Sequence, residues 1–415
     1  MHFVIIGNGV AGITAALALR QRESAAKITL ISGESDYFFS RTALMYAFMD
    51  RMTLRDLEPL ERKSYDAQRI ARVRDRVTDI DAATKTLTLQ SGQAMQYGAL
   101  LLATGSSPNQ LNVPGVSAAK QGMVNFVTLQ DLEQCEKHTR LGGNAVVVGG
   151  GLIGIELVEC LIHHGMKVDF MVRDPWYWPA ALDKEEAAMV TEHMRHHGVN
   201  VLLEESVVEI KSNNSGKVEA VIGSSGKRYD VELLGVAVGV HPSIEWLATT
   251  RTAPKVNRGI LVDSAFRTSL PHVWAAGDCV ELASTGLVEQ IWYSAKRQGE
   301  LAAKSILGDA INYQPPIFYN SSKFFDIEFT TTGKLGAESF YHRVAGKEIS
   351  IRVSWENSAV TGFNMLGSRW NHEFFERWIT ERRTPEYVMN RLHEAQFDGE
   401  FGTLPLNFNF QRGSK

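Results

Sequence analysis

The chain has 415 residues, of which 44% are hydrophobic and 22% are charged, and its formal net charge is −4. This length suffices for two or three domains, and so balanced a charge argues against a nucleic-acid-binding protein. The longest apolar runs, such as residues 233–240, are too short to span a membrane. The three cysteines, Cys135, Cys160 and Cys279, show no C-x-x-C spacing, which predicts reduced structural thiols in a cytoplasmic protein.

The chain opens with a strand, a glycine-rich turn and a helix. The run HFVIIG predicts a buried strand, Gly7, Gly9 and Gly12 occupy the turn, and ITAALALRQR has helical periodicity. A second β-rich run covers residues 27–32. In a dinucleotide-binding unit the first glycine permits the tight turn, the second lets the backbone approach a pyrophosphate, and the third lets the helix pack on the strand. We therefore predict a dinucleotide site at this loop.

The same unit recurs in the middle of the chain. The run AVVVGG includes Gly149, and Gly151 and Gly154 follow it before the helical run IELVECLIHHG. Another β-rich run comes next, at residues 167–172. One glycine motif alone is weak evidence, but two copies in the same strand, turn, helix and strand context predict two dinucleotide sites.

The residues after the second strand of each unit differ. Glu34 lies about 27 residues after Gly7, near the place of a ribose-binding acid. In the second unit that place is taken by Val172, and Arg173 follows. Because a cation suits a 2′-phosphate and an acid repels it, we predict a slight preference for NADPH over NADH at the second loop. Asp174, the next residue, opposes that preference.

Two clusters in the second half of the middle region have alternative interpretations. His193 and His197 lie four residues apart on a predicted helix, a spacing that can bind a metal ion. The sequence indicates no further ligand, so we favour a solvated helix face and predict no metal site. The aromatic residues 176–178 either stack on a nucleotide or pack against their own domain, and packing is favoured.

Three further motifs accompany the glycine loops: LLLATGSSP at 100–108, GVAVGVHPS at 235–243 and VWAAGDCVE at 273–281. In this order the motifs resemble the two-dinucleotide-fold flavoprotein reductases, the FAD-dependent pyridine nucleotide-disulfide oxidoreductase superfamily, over roughly residues 1–315. The nearest resemblance is to ferredoxin and rubredoxin reductases and to apoptosis-inducing factor. It implies that the first loop binds FAD, that the second binds NADH or NADPH, and that hydride passes directly from nicotinamide to flavin.

The resemblance implies an α/β protein with two Rossmann-like dinucleotide-binding domains and a C-terminal α+β interface domain. We expect a discontinuous FAD-binding domain at 1–113 and 242–315, an NAD(P)H-binding domain at 114–241, and the interface domain at 316–415. In the last domain, alternating runs predict antiparallel strands, and residues 370–383 predict an amphipathic helix with exposed aromatic anchors. Whether this helix docks a partner or seals a homodimer stays open.

The resemblance also assigns cofactor contacts. Glu34 would take the adenosine ribose, and Arg41 would approach the phosphates or adenine. Either Glu289 or Gln290 would meet the flavin pyrimidine. The expected FAD contacts are Gly7, Gly9, Val10, Ala11, Gly12, Glu34, Arg41, Val77, Thr104, Gly105, Asp278, Glu289 and Gln290. The expected nicotinamide-dinucleotide contacts are Gly149, Gly151, Leu152, Ile153, Gly154, Glu156, Arg173 and Gly239.

The chain departs from the family pattern at several positions near the flavin. No catalytic residue is assigned, because the flavin carries the chemistry, and the candidates near it are Tyr46, Glu156 and Trp292. Tyr46 stands where relatives near apoptosis-inducing factor carry a lysine that pairs with the residue at Glu156. Gly33 stands where they carry an acid. The C-x4-C pair of disulfide reductases is missing from this sequence, and so is a cysteine near position 43.

We therefore predict an FAD-dependent NAD(P)H oxidoreductase that passes electrons from flavin to a small redox protein such as a ferredoxin or rubredoxin. Because the thiol route of the disulfide reductases is missing, electrons should leave the flavin directly. Two alternatives stay open. One is the reduction of a quinone or another small molecule, and the other is a redox-sensing interaction protein similar to apoptosis-inducing factor.

Overall fold

The computed structural model describes residues 1–397, and the rest of the predicted interface domain lies outside the described residues. Two compact units are present. The first comprises Met1–Leu111, Val124–His138 and Val238–Gln314, and the second comprises Asn112–Met123, Thr139–Ala237 and Pro315–Lys415. The second unit thus contains most of the predicted NAD(P)H-binding segment together with the interface segment. The three-domain division stays a prediction.

Both units contain strands and helices, and no helix in the described part of the chain is long and apolar enough to cross a membrane. The strands β1 to β25 are His2–Ile6, Lys27–Ser32, Ile70–Arg74, Val77–Asp81, Thr86–Leu89, Ala94–Gln96, Ala99–Leu102, Ser106–Pro108, Met123–Val124, Asn144–Val148, Lys167–Val172, Asn200–Leu203, Val207–Ser212, Val218–Gly223, Arg228–Asp230, Leu233–Val236, Val240–Pro242, Ile260–Val262, Val273–Ala275, Val280–Leu282, Tyr319–Phe324, Ile327–Gly333, Glu338–Arg343, Ser350–Glu356 and Ala359–Leu366. The helices α1 to α9 are Val10–Arg22, Leu44–Phe48, Arg62–Ala67, Leu129–His138, Leu152–His163, Lys184–His196, Trp292–Ile306, His372–Thr380 and Pro385–Met389.

The first unit is built on a parallel five-stranded sheet with the order β19-β7-β1-β2-β3. All four residues of β7 are buried, as expected for a parallel strand that is covered on both faces. Ile6 lies opposite both Ile31 of β2 and Leu102 of β7, so the three central strands end at one level. Ligands of such sheets bind outside the carboxyl ends of the strands. The residues that follow these three strands therefore lie at one edge of the sheet.

Helices α1 and α7 cross at close range in the first unit. A Cβ atom on Gly299 would lie 2.2 Å from the carbonyl oxygen of Ala11, which is closer than real Cβ atoms approach. A Cβ atom on Gly277 would lie 2.9 Å from the Cβ atom of the same alanine. Glycine at these two positions therefore lets α7 and the turn after β19 approach the first turn of α1.

The second unit contains a sheet of the same kind, with the order β12-β11-β10-β16 and the short β9 at its edge. The first four strands are parallel, and Val148 of β10 lies opposite Met171 of β11 and Val236 of β16. An antiparallel ribbon, β13-β14-β15, belongs to the same unit. The predicted α/β class with two Rossmann-like sheets is confirmed.

An antiparallel five-stranded sheet, β21-β22-β25-β24-β23, forms the last part of the second unit. Phe363 on β25 stacks on Phe375 of α8 with ring centroids 4.3 Å apart, and Trp378 completes this core. The predicted α+β character is confirmed. The aromatic anchors predicted on residues 370–383 are not exposed, because the apolar face of α8 is consumed by this core: Phe375 is 0% exposed and Trp378 is 1% exposed.

A buried arginine joins the sheet to α6 within the second unit. The Arg352 guanidinium lies 3.0 Å from the Glu186 carboxylate, and 3.1 Å from those of Asp183 and Glu185. Asp183 and Glu186 also form a capping box at the start of α6. Burial raises the pKa of the Glu186 carboxyl, and the nearby Arg352 opposes that rise. The pairing satisfies a charge that would otherwise be costly to bury.

Candidate cofactor sites

Backbone packing explains two of the three glycines in the first loop. Gly7 has φ +112°, and a Cβ atom on it would lie 2.0 Å from the carbonyl oxygen of Ala103. A Cβ atom on Gly12 would lie 2.0 Å from the carbonyl oxygen of Gly7. The Gly7 N–H donates to the carbonyl of Ile31 at 2.8 Å and so ties the turn to β2. Any side chain at Gly7 or Gly12 would push the turn away from the sheet.

Gly9 has a different environment. It is the N-cap of α1, and a Cβ atom on it would meet nothing within 4 Å among the described residues. The first turn, which begins with Val10 and Ala11, carries no acidic residue, and none of the described side chains caps it. The free N–H groups and the helix dipole at such an end favour an anion. Gly9 therefore leaves room where a pyrophosphate fits.

The second loop repeats this arrangement. Gly149 has φ +119°, and its N–H donates to the carbonyl of Met171 at 3.1 Å. A Cβ atom on Gly154 would lie 2.1 Å from the carbonyl oxygen of Gly149, whereas one on Gly151 would meet nothing within 4 Å in the described part of the chain. Gly151 is the N-cap of α5, whose first residues are Leu152 and Ile153. The second loop thus offers a second anion site of the same design.

The helix after the second loop carries a partly buried carboxyl group, that of Glu156. Burial raises the pKa of Glu156 to about 8, and the negative charge of Glu159 adds to the effect. Burial and the neighbouring Glu156 also raise the pKa of Tyr177 well above its ordinary value. The Tyr177 hydroxyl donates to the carbonyl of Gly151 at 3.4 Å and so supports the turn from behind. Glu156 is therefore mostly protonated at neutral pH.

The predicted ribose-binding acid is paired with the predicted phosphate-binding arginine. The Arg41 guanidinium donates to both carboxylate oxygens of Glu34, at 3.0 and 2.7 Å, and also to the carbonyl of Val127. The backbone N–H of Leu129 donates to Glu34 at 3.1 Å. These bonds hold the Glu34 carboxylate in one orientation, close to where β2 ends.

Arg173 follows β11 directly and is 83% exposed at its side chain. Its guanidinium lies 3.8 Å from the Asp174 carboxylate, too far for a hydrogen bond. Among the described residues the arginine has no closer acidic partner. It is therefore available to a phosphate group, with Asp174 as a competing charge.

Asp278 anchors a short polar chain in the first unit. Ser106 donates to the Asp278 carboxylate at 2.9 Å, and the Gln290 amide donates to the Ser106 hydroxyl at 3.1 Å. Burial raises the pKa of the Asp278 carboxyl, and the Ser106 hydrogen bond and the charge of Arg41 oppose that rise. Thr104 bonds elsewhere, donating to the carbonyl of Ser243 at 2.9 Å. Sequence reasoning missed Ser106, which stands within the LLLATGSSP motif.

Glu289 and Gln290 have different environments. The Glu289 carboxylate accepts hydrogen bonds from Ser294 at 2.9 Å, Gln298 at 3.0 Å and Tyr313 at 2.8 Å. These three hydrogen bonds hold the Glu289 carboxylate within the first unit and leave it less available to a ligand. Gln290 belongs to the chain that ends on Asp278, so it is the better candidate of the two for a flavin contact.

The remaining predicted contacts lie at strand or helix ends of the first unit. Gly105 and Gly239 have φ of +69° and +95° and so need the freedom of glycine. Val77 begins β4 and is buried. Tyr46 lies in the short α2.

Two of the buried polar atoms without a partner in the first unit belong to the first loop or to a predicted site residue. The indole N–H of Trp292, the first residue of α7, is buried and has no hydrogen-bond partner within the described chain. The same holds for the side-chain oxygen of Asn8, between the first two loop glycines. Buried polar atoms are almost always satisfied in folded proteins. These two orphans, together with the space at Gly9, fit a bound dinucleotide with polar edges. Sequence reasoning missed Asn8.

All three cysteines are buried and none is in a disulfide. Burial raises the pKa values of the Cys135 and Cys279 thiols, which suppresses the reactive thiolate. The Cys279 thiol donates to the carbonyl of Ala276 at 3.4 Å. Their environments fit structural thiols, and the predicted cytoplasmic location stays a prediction.

The aromatic residues 176–178 and the histidine pair, which the sequence left open, both lie in the second unit. Tyr177 and Trp178 pack against Phe324, with ring centroids 6.2 and 5.9 Å away. This geometry fits the packing interpretation of residues 176–178. The prediction of a solvated helix face is wrong for His193, which is only 7% exposed. The side of α6 that carries His193 packs against the hairpin β21–β22. His197 is exposed.

Comparison with known proteins identifies the class. The family model for pyridine nucleotide-disulphide oxidoreductases matches residues 1–302. The chain belongs to this family, although it lacks the paired cysteines of the family's disulfide reductases. It is an FAD-dependent NAD(P)H oxidoreductase. The two glycine loops with open anion sites are the residues that fit the two dinucleotides.

Individual members of the family are similar to this chain over most of its length. The chain is 28% identical over 399 residues to an NADH oxidase of Methanocaldococcus jannaschii, which covers 88% of each chain. It is 28% identical over 351 residues to the rubredoxin-NAD(+) reductase of Pseudomonas putida, covering 83% of this chain and 89% of that protein. Among solved structures it is similar to the ferredoxin reductase of the CYP199A2 system from Rhodopseudomonas palustris, with 25% identity and a TM-score of 0.83 over 93% of this chain and 96% of that one.

The two kinds of loop glycine should respond differently to alanine. In Gly9→Ala the new methyl meets no protein atom but enters the open anion site, so we expect a folded protein with an FAD affinity about 10- to 100-fold lower. In Gly12→Ala the methyl meets the Gly7 carbonyl, so both the fold and FAD binding should suffer. Flavin absorbance of the purified proteins and their circular dichroism measure the two effects.

The matched control for that pair lies in the second loop. Gly151→Ala should retain its FAD and lose affinity for the nicotinamide dinucleotide by a similar factor, since Gly151 has the same open surroundings. A Gly9→Ala protein with a normal FAD content would contradict the assignment of the first loop.

Replacement of Glu156 by glutamine should change the pH dependence of stability. The folded protein raises the pKa of this carboxyl from 4.5 to about 8, so its protonated form stabilises the fold. This contribution is complete below about pH 4.5 and is lost as the pH rises through about 8. We expect the wild-type protein to lose thermal stability relative to Glu156→Gln as the pH is raised from about 5 to about 9.

Thermal unfolding of the FAD-loaded proteins across this pH range measures the difference. Glu219→Gln is the control, because Glu219 is an exposed glutamate of the same unit, and this variant should follow the wild type. Parallel pH profiles for wild type and Glu156→Gln would exclude a raised pKa at Glu156.

Proposed function

We propose that this protein oxidises NADH or NADPH at its second glycine loop and passes the electrons, through FAD at its first loop, to a small redox protein of the ferredoxin or rubredoxin type. The observation that carries the proposal is the pair of open anion sites at Gly9 and Gly151, each at a helix N-terminus that no described side chain caps. One site per dinucleotide is what direct hydride transfer between two cofactors requires. The named reductases among the relatives support the acceptor class.

Different residues around the first loop would bind different parts of FAD. Bound FAD supplies a group that accepts a hydride and releases electrons again. The N–H groups after Gly9 receive the pyrophosphate, and Glu34, oriented by Arg41, accepts from the ribose hydroxyls. Asp278, Ser106 and Gln290 offer a polar chain to the remaining edge of the cofactor. The protein thus contributes position and electrostatics to the reaction.

Electrons leave by a route that uses no thiol. The pKa values of Cys135 and Cys279 are raised by burial, and Cys160 is also fully buried. Disulfide chemistry needs an accessible thiolate next to the flavin. A direct transfer from flavin to an external acceptor is therefore the route that this chain supports.

We expect a protein acceptor to dock on a surface formed mainly by charged residues and not by apolar ones. Phe375 and Trp378 of α8 are buried, whereas Arg377 on this helix and Arg382 just after it are exposed. A net charge of −4 gives no strong long-range field, so a local patch of this kind has to orient an acidic partner. A homodimer that uses the same surface stays a prediction.

A second candidate function is the reduction of a small acceptor. The relative from Methanocaldococcus jannaschii, which covers 88% of this chain, is named an NADH oxidase, so oxygen is a specific alternative acceptor. A redox-sensing interaction protein is the remaining alternative. It differs from both enzymes because it would form a long-lived reduced complex with negligible turnover.

An acceptor panel separates these functions. The FAD-loaded protein is reduced by NADH or NADPH and then offered a ferredoxin, a rubredoxin, a quinone, oxygen and ferricyanide. We expect multiple turnovers with at least one of the two redox proteins, and a much slower rate with oxygen. Fast turnover with oxygen or quinone alone would replace the proposed function by the second candidate. Negligible turnover with every acceptor would favour the sensor.

The same assay tests the thiol-free route. Treatment of the native protein with iodoacetamide should leave its rate with ferricyanide unchanged, because all three cysteines are buried. Denatured protein, in which three thiols should react, controls for the reagent. Loss of activity with FAD still bound would place a thiol in the electron path.

The choice between NADPH and NADH depends on two neighbouring charges. Arg173→Ala should lower the NADPH/NADH ratio of kcat/KM by about tenfold to a hundredfold, because a charge-assisted contact contributes about 1.5–3 kcal/mol. Asp174→Ala should raise the same ratio, because it removes the competing carboxylate 3.8 Å from the arginine. Stopped-flow reduction with both nucleotides measures the ratios. An unchanged ratio in Arg173→Ala would remove the basis for any NADPH preference.

A further inference from the structure

Three potential metal ligands meet in the second unit, away from the glycine loop. His193 lies in the last turn of α6, His197 follows that helix, and Asp326 lies in the turn between β21 and β22. One ligand atom from each residue lies within 4.8 Å of the other two. Within residues 1–397 this is the one such group of three or more histidine, cysteine or acidic side chains.

The ring of His197 is held with one nitrogen free for a ligand. Its Nδ1 atom lies 3.0 Å from the carbonyl oxygen of His193, to which it donates. A backbone carbonyl on Nδ1 fixes the tautomer and leaves the lone pair on Nε2. The ring also lies against Phe325, with centroids 4.7 Å apart, and 4.4 Å from the ring of His193. These contacts place Nε2 without the help of a metal ion.

Asp326 is brought to the histidines by a strained turn. The preceding Phe325 has φ +55°, an uncommon value for a bulky residue. Its N–H donates to the buried carboxylate of Glu159 at 3.0 Å, which holds the turn on α5. Backbone strain of this kind persists only where the surroundings over-determine it, and it is common at ligand sites.

His193 has a carboxylate on each side. Its Nε2 atom forms a short hydrogen bond with Asp326, and its Nδ1 atom lies 4.0 Å from Glu348. At 4.0 Å Glu348 forms no hydrogen bond with Nδ1, but its negative charge favours a cation nearby. The helix C-terminus beside it also favours a cation.

We propose that His193, His197 and Asp326 bind a divalent transition-metal ion, with zinc as the best fit. Two imidazoles and one carboxylate suit zinc, copper or nickel and do not suit magnesium or calcium, which prefer oxygen ligands. Three protein ligands leave a fourth position for water. A zinc ion about 2.0–2.2 Å from each ligand atom holds these atoms roughly 3.3 Å apart. The ligand atoms all lie within 4.8 Å of one another, so binding would adjust their separations and part the hydrogen-bonded pair of His193 and Asp326. The exposed side chains of His197 and Asp326 permit this movement.

The ion joins the end of α6 to the hairpin β21–β22 and so stabilises the second unit. This role is separate from the flavin chemistry of the first unit, and the proposal does not depend on the proposed function. Bound zinc should raise the unfolding temperature of the protein, because it binds the folded chain and the unfolded chain does not hold the three ligands together.

Zinc binding to the chelator-treated, FAD-loaded protein tests the proposal. We expect one zinc ion per chain by titration against a chromophoric chelator, and visible absorption from cobalt bound at the same site. Loss of a residue that only hydrogen-bonds to a metal ligand lowers metal affinity by about 10- to 100-fold. Loss of a ligand itself, in His197→Gln or Asp326→Asn, should lower the zinc affinity by at least that much. His196→Gln is the matched control, since His196 is exposed on the same helix but outside the group, and it should bind like the wild type.

The variants are chosen so that folding does not decide the result. The Asp326 side chain is 70% exposed and His197 is exposed, so both variants should fold. Loss of their own contacts can lower the unfolding temperature without metal, so each variant is compared with and without zinc, and the shift caused by zinc should disappear. No zinc binding, equal binding in all four proteins, or a preference for magnesium over zinc overturns the proposal.

Discussion

Two close backbone contacts support both candidate cofactor sites. The Cα atom of Gly12 packs against the carbonyl of Gly7, and that of Gly154 packs against the carbonyl of Gly149, in each case at a distance that excludes a Cβ atom. Each contact sets its helix directly at the carboxyl end of its sheet, so that the helix N-terminus opens towards the ligand. The uncapped N–H groups and the space at Gly9 and Gly151 lie at the helix ends that these contacts position.

The local part of this arrangement could be predicted from sequence. Glycine spacing within a strand-turn-helix pattern depends on residues a few positions apart, and the two loops were placed correctly. Interactions between distant segments could not be predicted. The pairing of Glu34 with Arg41, and the commitment of Glu289 to Ser294, Gln298 and Tyr313, depend on how helices and turns approach each other in the folded unit.

The histidine pair shows the same limit. Positions 193 and 197 stand on one face of a helix by spacing alone, but their third neighbour, Asp326, comes from a hairpin more than a hundred residues later. Burial of His193 follows from the packing of that hairpin. The prediction of exposed aromatic anchors on α8 is wrong for a related reason. An amphipathic pattern shows that one face is apolar and does not show what covers it.

The burial of the three cysteines has a consequence for chemical durability. Peroxide oxidises thiolates that are both ionised and accessible, and it converts them stepwise to sulfenic, sulfinic and sulfonic acids. Cys135, Cys160 and Cys279 are each 0% exposed, and the raised pKa values of the first and last keep those two thiols protonated. Peroxide should therefore oxidise these three thiols slowly as long as the protein stays folded, and faster once it unfolds.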